Sequence, residues 1–398
     1  MKQRISTCLF AFIGVFFALI TISAAEFLLA SEQVSIFVPV VFKNYSSDEP
    51  LRLIMLTKAE ERGAVCNDGS PPAYYLRTGV DEGSRRWIIH LQGGGFCYSE
   101  GTCEERMALA PNLMTSMGLP ATRDGNGILA ADPSMNPVFN NANQVFVHYC
   151  SSDLWSGDRA ASPETGGLHF RGASIVRAVI EDLADPSITP EPNLADATQV
   201  LFSGTSAGGA GVLVHLDWLA EQFPKAKVYG VNDAGWFIDI EPFDPAVVSP
   251  REAGQLAYAY WNGTVDASCA AANAGTEGLC YLGEYAYPYI STPLFVQIAQ
   301  FDDTQLISLG LVLPIDEDID INDDELSYAL QFGSAIRDSL GPVSGAFSPA
   351  DQTHGLLTNE KFWSVRIEGY SLQEVLFNWV FDQSGPVKLV EEPTGQLR

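Results

Sequence analysis

Val200-Leu201-Phe202-Ser203-Gly204-Thr205-Ser206-Ala207-Gly208 is the stretch that decides the fold. Its first four residues read as a buried strand. From Gly208 to Phe223 the spacing becomes helical, with Val212, Leu213, Leu216 and Leu219 on one face. Between strand and helix lies G-x-S-x-G, a turn so sharp that Gly204 and Gly208 must leave room where side chains would collide. A serine hydroxyl is a poor nucleophile unless such a turn exposes it beside a base. Ser206 is therefore the expected nucleophile of an acyl-transfer enzyme.

Working outward, the runs at 87–91 (WIIHL), 145–149 (VFVHY) and 293–298 (PLFVQI) are nearly continuous in apolar residues. That pattern suits parallel strands covered on both faces. Residues 173–183 again have helical spacing. The alternation predicts an α/β fold of α/β-hydrolase type: a doubly wound, mostly parallel sheet with helices on both faces and long loops. With 398 residues, 46% hydrophobic and 18% charged, the chain can bury one large core. A single catalytic domain is expected over 51–398.

Residues 1–25 read as an export signal. Lys2 and Arg4 precede an apolar stretch, and Ser23-Ala24-Ala25 offers small residues at the cleavage positions. The rival reading is an uncleaved anchor, since residues 8–25 carry no charge, but that run is short for a membrane span. The protein is therefore expected outside the cell and free of the membrane after cleavage. Residues 26–50 form a lead-in with one apolar patch at 36–42, compatible with an edge strand, a wall-associated segment or a linker.

Loss of Lys2 and Arg4 takes the formal net charge from −27 to −29. Such a surface repels nucleic acid and anionic lipid, and chiefly keeps an exported chain soluble. Of seven cysteines, Cys8 lies in the signal, leaving six in the mature chain. An even number in an exported protein predicts three disulfides. Proximity favours Cys97–Cys103 and Cys269–Cys280, with Cys66–Cys150 left by elimination. No C-x-x-C pair or histidine cluster points to zinc. The acidic run at 316–325 (DEDIDINDDE) has Ile321 and Ser327 where a calcium loop needs glycine and glutamate, so a solvated acidic loop is expected. No cofactor or metal is expected, and the chain is read as a monomer.

Histidine scarcity makes the search for a base short: His90, His148, His169, His215 and His354 are all there are. In α/β-hydrolases the order along the chain is Ser, then acid, then His, which leaves His215 and His354. His215 is carried away by the helix, so His354, in the loop-like 351–355 (DQTHG), is the expected base. His90 and His148 fall in apolar strand patterns and read as packed core. The acid is expected just after the strand at 293–299, where spacing does not separate Asp302 from Asp303; Asp233, after 228–232, is a weaker candidate. Gly93-Gly94-Gly95 follows the strand 87–91, the position of an oxyanion loop, and two of its N–H groups with that of Ala207 would hold the developing charge.

Together, several motifs resemble the pectin acetylesterase and Notum carboxylesterase family. They are 64–74 (AVCNDGSPPAY), 87–103, 149–157 (YCSSDLWSG), 170–172 (FRG), 203–211, 232–237 (NDAGWF) and 301–306 (FDDTQL). The resemblance spans roughly residues 52–380. It implies Asp302 as the acid, Gly94, Gly95 and Ala207 as oxyanion donors, and ester hydrolysis without metal or organic cofactor. One departure stands out: Gly95 and then Phe96 follow Gly94, where Notum has a tryptophan. A more open site is expected there, and a long fatty-acyl substrate less so.

The expected function is hydrolysis of O-acyl esters, acetyl esters of a polysaccharide such as pectin first. A broad small-ester carboxylesterase or a Notum-like lipid deacylase is the enzymatic alternative. A cell-surface binding protein on a hydrolase scaffold is the non-enzymatic one. The partner is then an acylated carbohydrate or a small ester.

Overall fold

The computed structural model describes residues 49–56, 58–312 and 321–393. The export signal and nearly all of the lead-in lie outside the described residues. Twelve strands are present: β1 (Leu51–Met55), β2 (Ala73–Arg77), β3 (Arg86–Leu91), β4 (Thr122–Arg123), β5 (Asn143–Val147), β6 (Gln199–Thr205), β7 (Lys227–Asp233), β8 (Leu294–Gln297), β9 (Gly345–Ser348), β10 (Arg366–Ile367), β11 (Tyr370–Ser371) and β12 (Lys388–Val390). Ten of them form one sheet in the order β12-β9-β8-β7-β6-β3-β5-β2-β1-β4, while β10 and β11 make a separate hairpin. From β12 to β5 every neighbouring pair is parallel, and β2, β1 and β4 add an antiparallel edge. The sequence expectation of a mostly parallel sheet holds.

The strands at the centre are apolar at nearly every position because each face is buried. On one face Trp87, Ile89, Leu91, Val200 and Phe202 pack with Ile175, Val179, Leu213 and Leu216. Helix α1 is Glu100–Leu109, α2 Gly172–Ala184 and α3 Ala207–Gln222; Ile175 and Val179 come from α2, Leu213 and Leu216 from α3. On the other face Ile88, Leu201, Val231, Phe295 and Phe347 pack with Leu372, Val375 and Leu376 of the helix Leu372–Val380. Successive strand residues point to opposite faces, so a run such as Ile88-Ile89 feeds both cores.

Two expectations need adjustment. The strand expected at 145–149 begins at Asn143 and ends at Val147, leaving His148 and Tyr149 beyond it. His148 is buried as expected, but its ring nitrogens meet Gln92 Oε1 and the Thr115 carbonyl, each at 2.9 Å, so polar contacts rather than strand packing hold it. The end of the acidic run is not a loop: Asp323–Ser339 is a helix, capped by the Asn322 side chain, which accepts from the Asp324 and Glu325 N–H groups. Three acidic residues in its first turn face the positive end of the helix dipole, which favours helix over loop. Residues 316–320 lie outside the described residues.

The three disulfides pair as proximity and elimination suggest: Cys66–Cys150, Cys97–Cys103 and Cys269–Cys280. Cys66–Cys150 closes the longest loop, with a sequence separation of 84 against 6 and 11 for the others. In the chain-entropy account the longer loop restricts the unfolded chain more. Replacing Cys66 and Cys150 by serine is expected to lower unfolding free energy by roughly 2–5 kcal/mol in denaturant titrations. The Cys97/Cys103 double replacement should cost less, and the reverse ranking would show that chain entropy is not the governing factor.

Candidate active site

Ser206 sits between the end of β6 and the start of α3 with φ 58 and ψ −120, a left-handed backbone that a serine adopts only when its surroundings enforce it. The enforcement is visible. A methyl on Gly204 would run into the Gly208 carbonyl, and one on Gly208 would run into the Leu91 carbonyl of β3. The Ser206 N–H donates to the Asp233 carbonyl at 2.7 Å, and its own carbonyl accepts from Ala210 at 3.1 Å. The turn is thus fastened to β7 on one side and to its helix on the other.

The loop 93–95 leaves β3 directly against this turn: a Cβ on Gly93 would lie 2.8 Å from Ser206 Cβ. Gly94 and Gly95 have φ 141 and 68. Arg106 of α1 donates from Nη1 to the Gly94 carbonyl at 2.6 Å and from Nε to Ser152 Oγ at 2.6 Å. A trans peptide points its N–H opposite to its carbonyl, so Arg106 turns the Gly95 N–H away from itself. Gly95, Ser206 and Ala207 line one cavity. The arrangement can present backbone donors to an oxygen held beside Ser206.

His354 lies in a loop between β9 and the helix Lys361–Ser364, and its Nδ1 meets both carboxylate oxygens of Asp302, at 3.0 and 2.8 Å. A carboxylate only accepts, so the proton sits on Nδ1 and Nε2 is left with its lone pair. Asp302 is fully buried and also caps the helix Asp303–Ser308, accepting the Gln305 N–H at 2.9 Å. Burial pulls the His354 pKa down, but the hydrogen bond and charge of Asp302, helped by Asp233 and Asp303, outweigh it and hold the imidazole above its ordinary 6.5. The loop reaches the serine turn: a Cβ on Gly355 would lie 2.7 Å from Thr205 Cγ2. Asp303, by contrast, starts the helix and accepts from the Thr304 hydroxyl.

The remaining histidines are placed elsewhere. His215 is buried in α3 with Nε2 on the Trp155 carbonyl at 2.7 Å. His90 is buried on β3 beside Ser203, and burial pushes its pKa down to about 3.

The cavity beside Ser206 measures about 360 Å³, and Phe96, Leu154, Phe237, Ile238, Val248 and Leu309 are among its apolar walls. Leu154 reaches it from a loop in which Ser152, Leu154 and Trp155 all have positive φ. The buried Asp153 holds that loop by accepting the Ser151 hydroxyl and the N–H groups of Trp155, Gly157 and Gly172, and burial still raises its pKa to about 6. Sequence reading missed Arg106, Asp153 and most of the cavity wall. The one signal for Arg106 was its position three residues after Cys103 on the same helical face. Among the described residues no cluster of histidine, cysteine, aspartate or glutamate is arranged to hold a metal ion.

A family model described as pectinacetylesterase matches residues 45–395. Among curated proteins, the chain is 35% identical over 347 residues to the human palmitoleoyl-protein carboxylesterase NOTUM, covering 83% of this chain and 66% of that one. The zebrafish (Danio rerio) palmitoleoyl-protein carboxylesterase notum1a is 34% identical over 336 residues, with 80% and 64% covered. The Drosophila melanogaster palmitoleoyl-protein carboxylesterase NOTUM is 35% identical over 323 residues, with 79% and 46% covered. The chain thus spans about half to two thirds of the length of these relatives.

Asp302→Asn should turn an amide N–H toward His354 and force the opposite tautomer, removing the lone pair from Nε2. An esterase using this pair is expected to lose about 10⁴-fold in kcat, with Asp303→Asn changing little. Steady-state kinetics on one soluble ester at fixed pH compares them; a crippled Asp303→Asn beside an active Asp302→Asn reverses the assignment.

Proposed function

Because the chain belongs to the pectinacetylesterase family, we propose that it is an exported serine ester hydrolase that works through Ser206, His354 and Asp302. The observation that carries the proposal is the His354–Asp302 pair, with its loop seated on a strained serine turn that opens into an apolar cavity. In this reading Ser206 Oγ attacks the ester carbonyl while His354 Nε2 takes the hydroxyl proton. The N–H groups of Gly94, Gly95 and Ala207 stabilise the tetrahedral oxyanion, where each such donor contributes about 3 kcal/mol. The alcohol leaves with the proton from His354. Water, deprotonated by the same imidazole, then attacks the acyl-enzyme and frees the acid and Ser206.

The cavity supports an acyl group larger than acetyl. Its volume of about 360 Å³ falls in the range of sites that enclose a whole small molecule. Apolar walls reward each added methylene by roughly 0.8 kcal/mol, about fourfold in kcat/KM, until the cavity is full. The relatives' names, palmitoleoyl-protein carboxylesterase, point the same way. The acetylated-polysaccharide reading rests on the family description, pectinacetylesterase. Export rests on the amino-terminal signal pattern and is supported by three disulfides. No helix of the described residues is long and apolar enough to cross a membrane. A binding protein on a dead scaffold would give no reason for the backbone strain stored at Ser206.

Three measurements test the proposal. Ser206→Ala should abolish hydrolysis of p-nitrophenyl acetate while leaving the unfolding transition in place; near-wild-type turnover would remove the nucleophile. A p-nitrophenyl ester series should show kcat/KM rising from acetyl to longer acyl groups, and a peak at acetyl with release of acetate from acetylated pectin would favour the polysaccharide reading. The base must be neutral to accept a proton, so kcat/KM should fall as pH drops through a value above the ordinary 6.5 of histidine. An acid limb well below 6.5 would contradict the His354–Asp302 account.

A further inference from the structure

Asp233 ends β7 directly beside Thr205, its register partner on β6, and is fully buried. Its backbone carbonyl accepts the Ser206 N–H at 2.7 Å. Its carboxylate accepts the Thr205 hydroxyl at 2.6 Å on Oδ2, the Leu356 N–H at 2.9 Å on Oδ1 and the Leu357 N–H at 3.2 Å on Oδ2. Thr205 precedes Ser206, and Leu356 follows His354 by two residues. One side chain therefore spans the two segments that the proposed chemistry must keep in register. The loop crosses the carboxylate closely: Gly355 has φ 74, and a Cβ there would lie 3.3 Å from Asp233 Oδ2.

The residue's charge is the harder fact to explain. Among the described residues no ion pair is formed by Asp233, and burial raises its pKa, opposed by the Leu356, Thr205 and Leu357 bonds and by the charge of His354. Desolvating a carboxylate in this way is costly, and an asparagine would avoid it only by turning an NH2 group toward the Leu357 N–H. Donors on both oxygens call for a carboxylate rather than an amide, and an imidazole that becomes positive during each turnover gives that anion a second role.

We propose that Asp233 is a positioning residue that sets the distance between Ser206 and His354 and, as an anion, joins Asp302 in stabilising charged His354. The proposal rests on the reading of Ser206 and His354 as nucleophile and base. The charged groups acting on His354 are Asp302 at hydrogen-bond distance, Asp233 from β7 and Asp303 from the neighbouring helix. On its own loop, Asp351 accepts the Thr353 N–H at 3.0 Å, and Lys361 donates to Thr353 Oγ1 at 3.2 Å. Behind Asp233, His90 Nε2 approaches Thr205 Oγ1 at 3.5 Å and is neutral. Removing the Asp233 charge leaves Asp302 in place but takes one anion from the imidazolium.

The variant Asp233→Asn separates this role from simple packing. Asparagine can still accept the Leu356 N–H and donate to Thr205 Oγ1; it loses only the longer bond from the Leu357 N–H, and an unfolding titration checks that the fold is kept while the charge goes. The expected result is a kcat lower by roughly 10- to 100-fold with KM nearly unchanged, and an acid limb of kcat/KM displaced to lower pH. NMR titration of the His354 imidazole, assigned with His354→Gln, should move to lower pH in the same variant. A thermal shift alone, with kcat and the titration unmoved, would overturn the proposal. Should Asp233→Asn fail to fold, Thr205→Val keeps the charge and removes one anchor. It should lower kcat with the acid limb in place, and an unchanged kcat overturns the positioning role. Absence of hydrolysis by the wild type defeats the esterase reading, whereas an unmoved His354 titration defeats the Asp233 proposal alone.

Discussion

The structure depends on one backbone constraint: strand β6 must become helix α3 within a single residue. Ser206 absorbs that change at φ 58, and the strain persists because neighbours on three sides fix it. Gly208 lies against the end of β3, Gly93 lies against Ser206 itself, and the Ser206 N–H is bound by β7. The loop 93–95 and the histidine loop are both packed onto this turn. Displacing it would disturb every part of the candidate site together.

Buried carboxylates form the second layer of organisation, and each meets its desolvation cost differently. Asp302 pairs with an imidazole and caps a helix. Asp153 gathers one hydroxyl and three backbone N–H groups, holding a loop whose backbone is otherwise unfavourable. Asp233 takes two N–H groups and a hydroxyl. In each case the carboxylate fixes a loop at the C-terminal edge of the sheet. Such edges are where open α/β sheets place their ligands. Arg106 does comparable work with opposite sign, on the Gly94 carbonyl.

Much of the cavity wall comes from segments outside the serine turn. Residues 247–257 and 304–309 supply much of its wall, beside Gly95, Leu154 and Ala207. In the proposed reading, acyl selectivity and chemistry are therefore carried largely by different parts of the chain. One fold accommodates several substrates by changes confined to such wall segments.

The sequence by itself determined the strand-turn-helix around Ser206 and the parallel sheet, put the glycine loop and His354 forward as candidates, and favoured the three disulfides by proximity and elimination. These rest on local backbone demands, on burial patterns that repeat every second or fourth residue, and on residue types too scarce to leave many choices. Spacing left Asp302 and Asp303 open and only the family resemblance selected Asp302; that Asp302 meets His354 depends on how a helix N-terminus is capped after β8, which tertiary structure decides. It alone brought Arg106 to Gly94 and Asp233 to Leu356, and turned the acidic run at 323–325 into a helix start. Asp233 and Leu356 are 123 positions apart, and the bond between them leaves no trace in the pattern around either residue. Contacts of that kind follow from how packed segments meet in space, which no local spacing records.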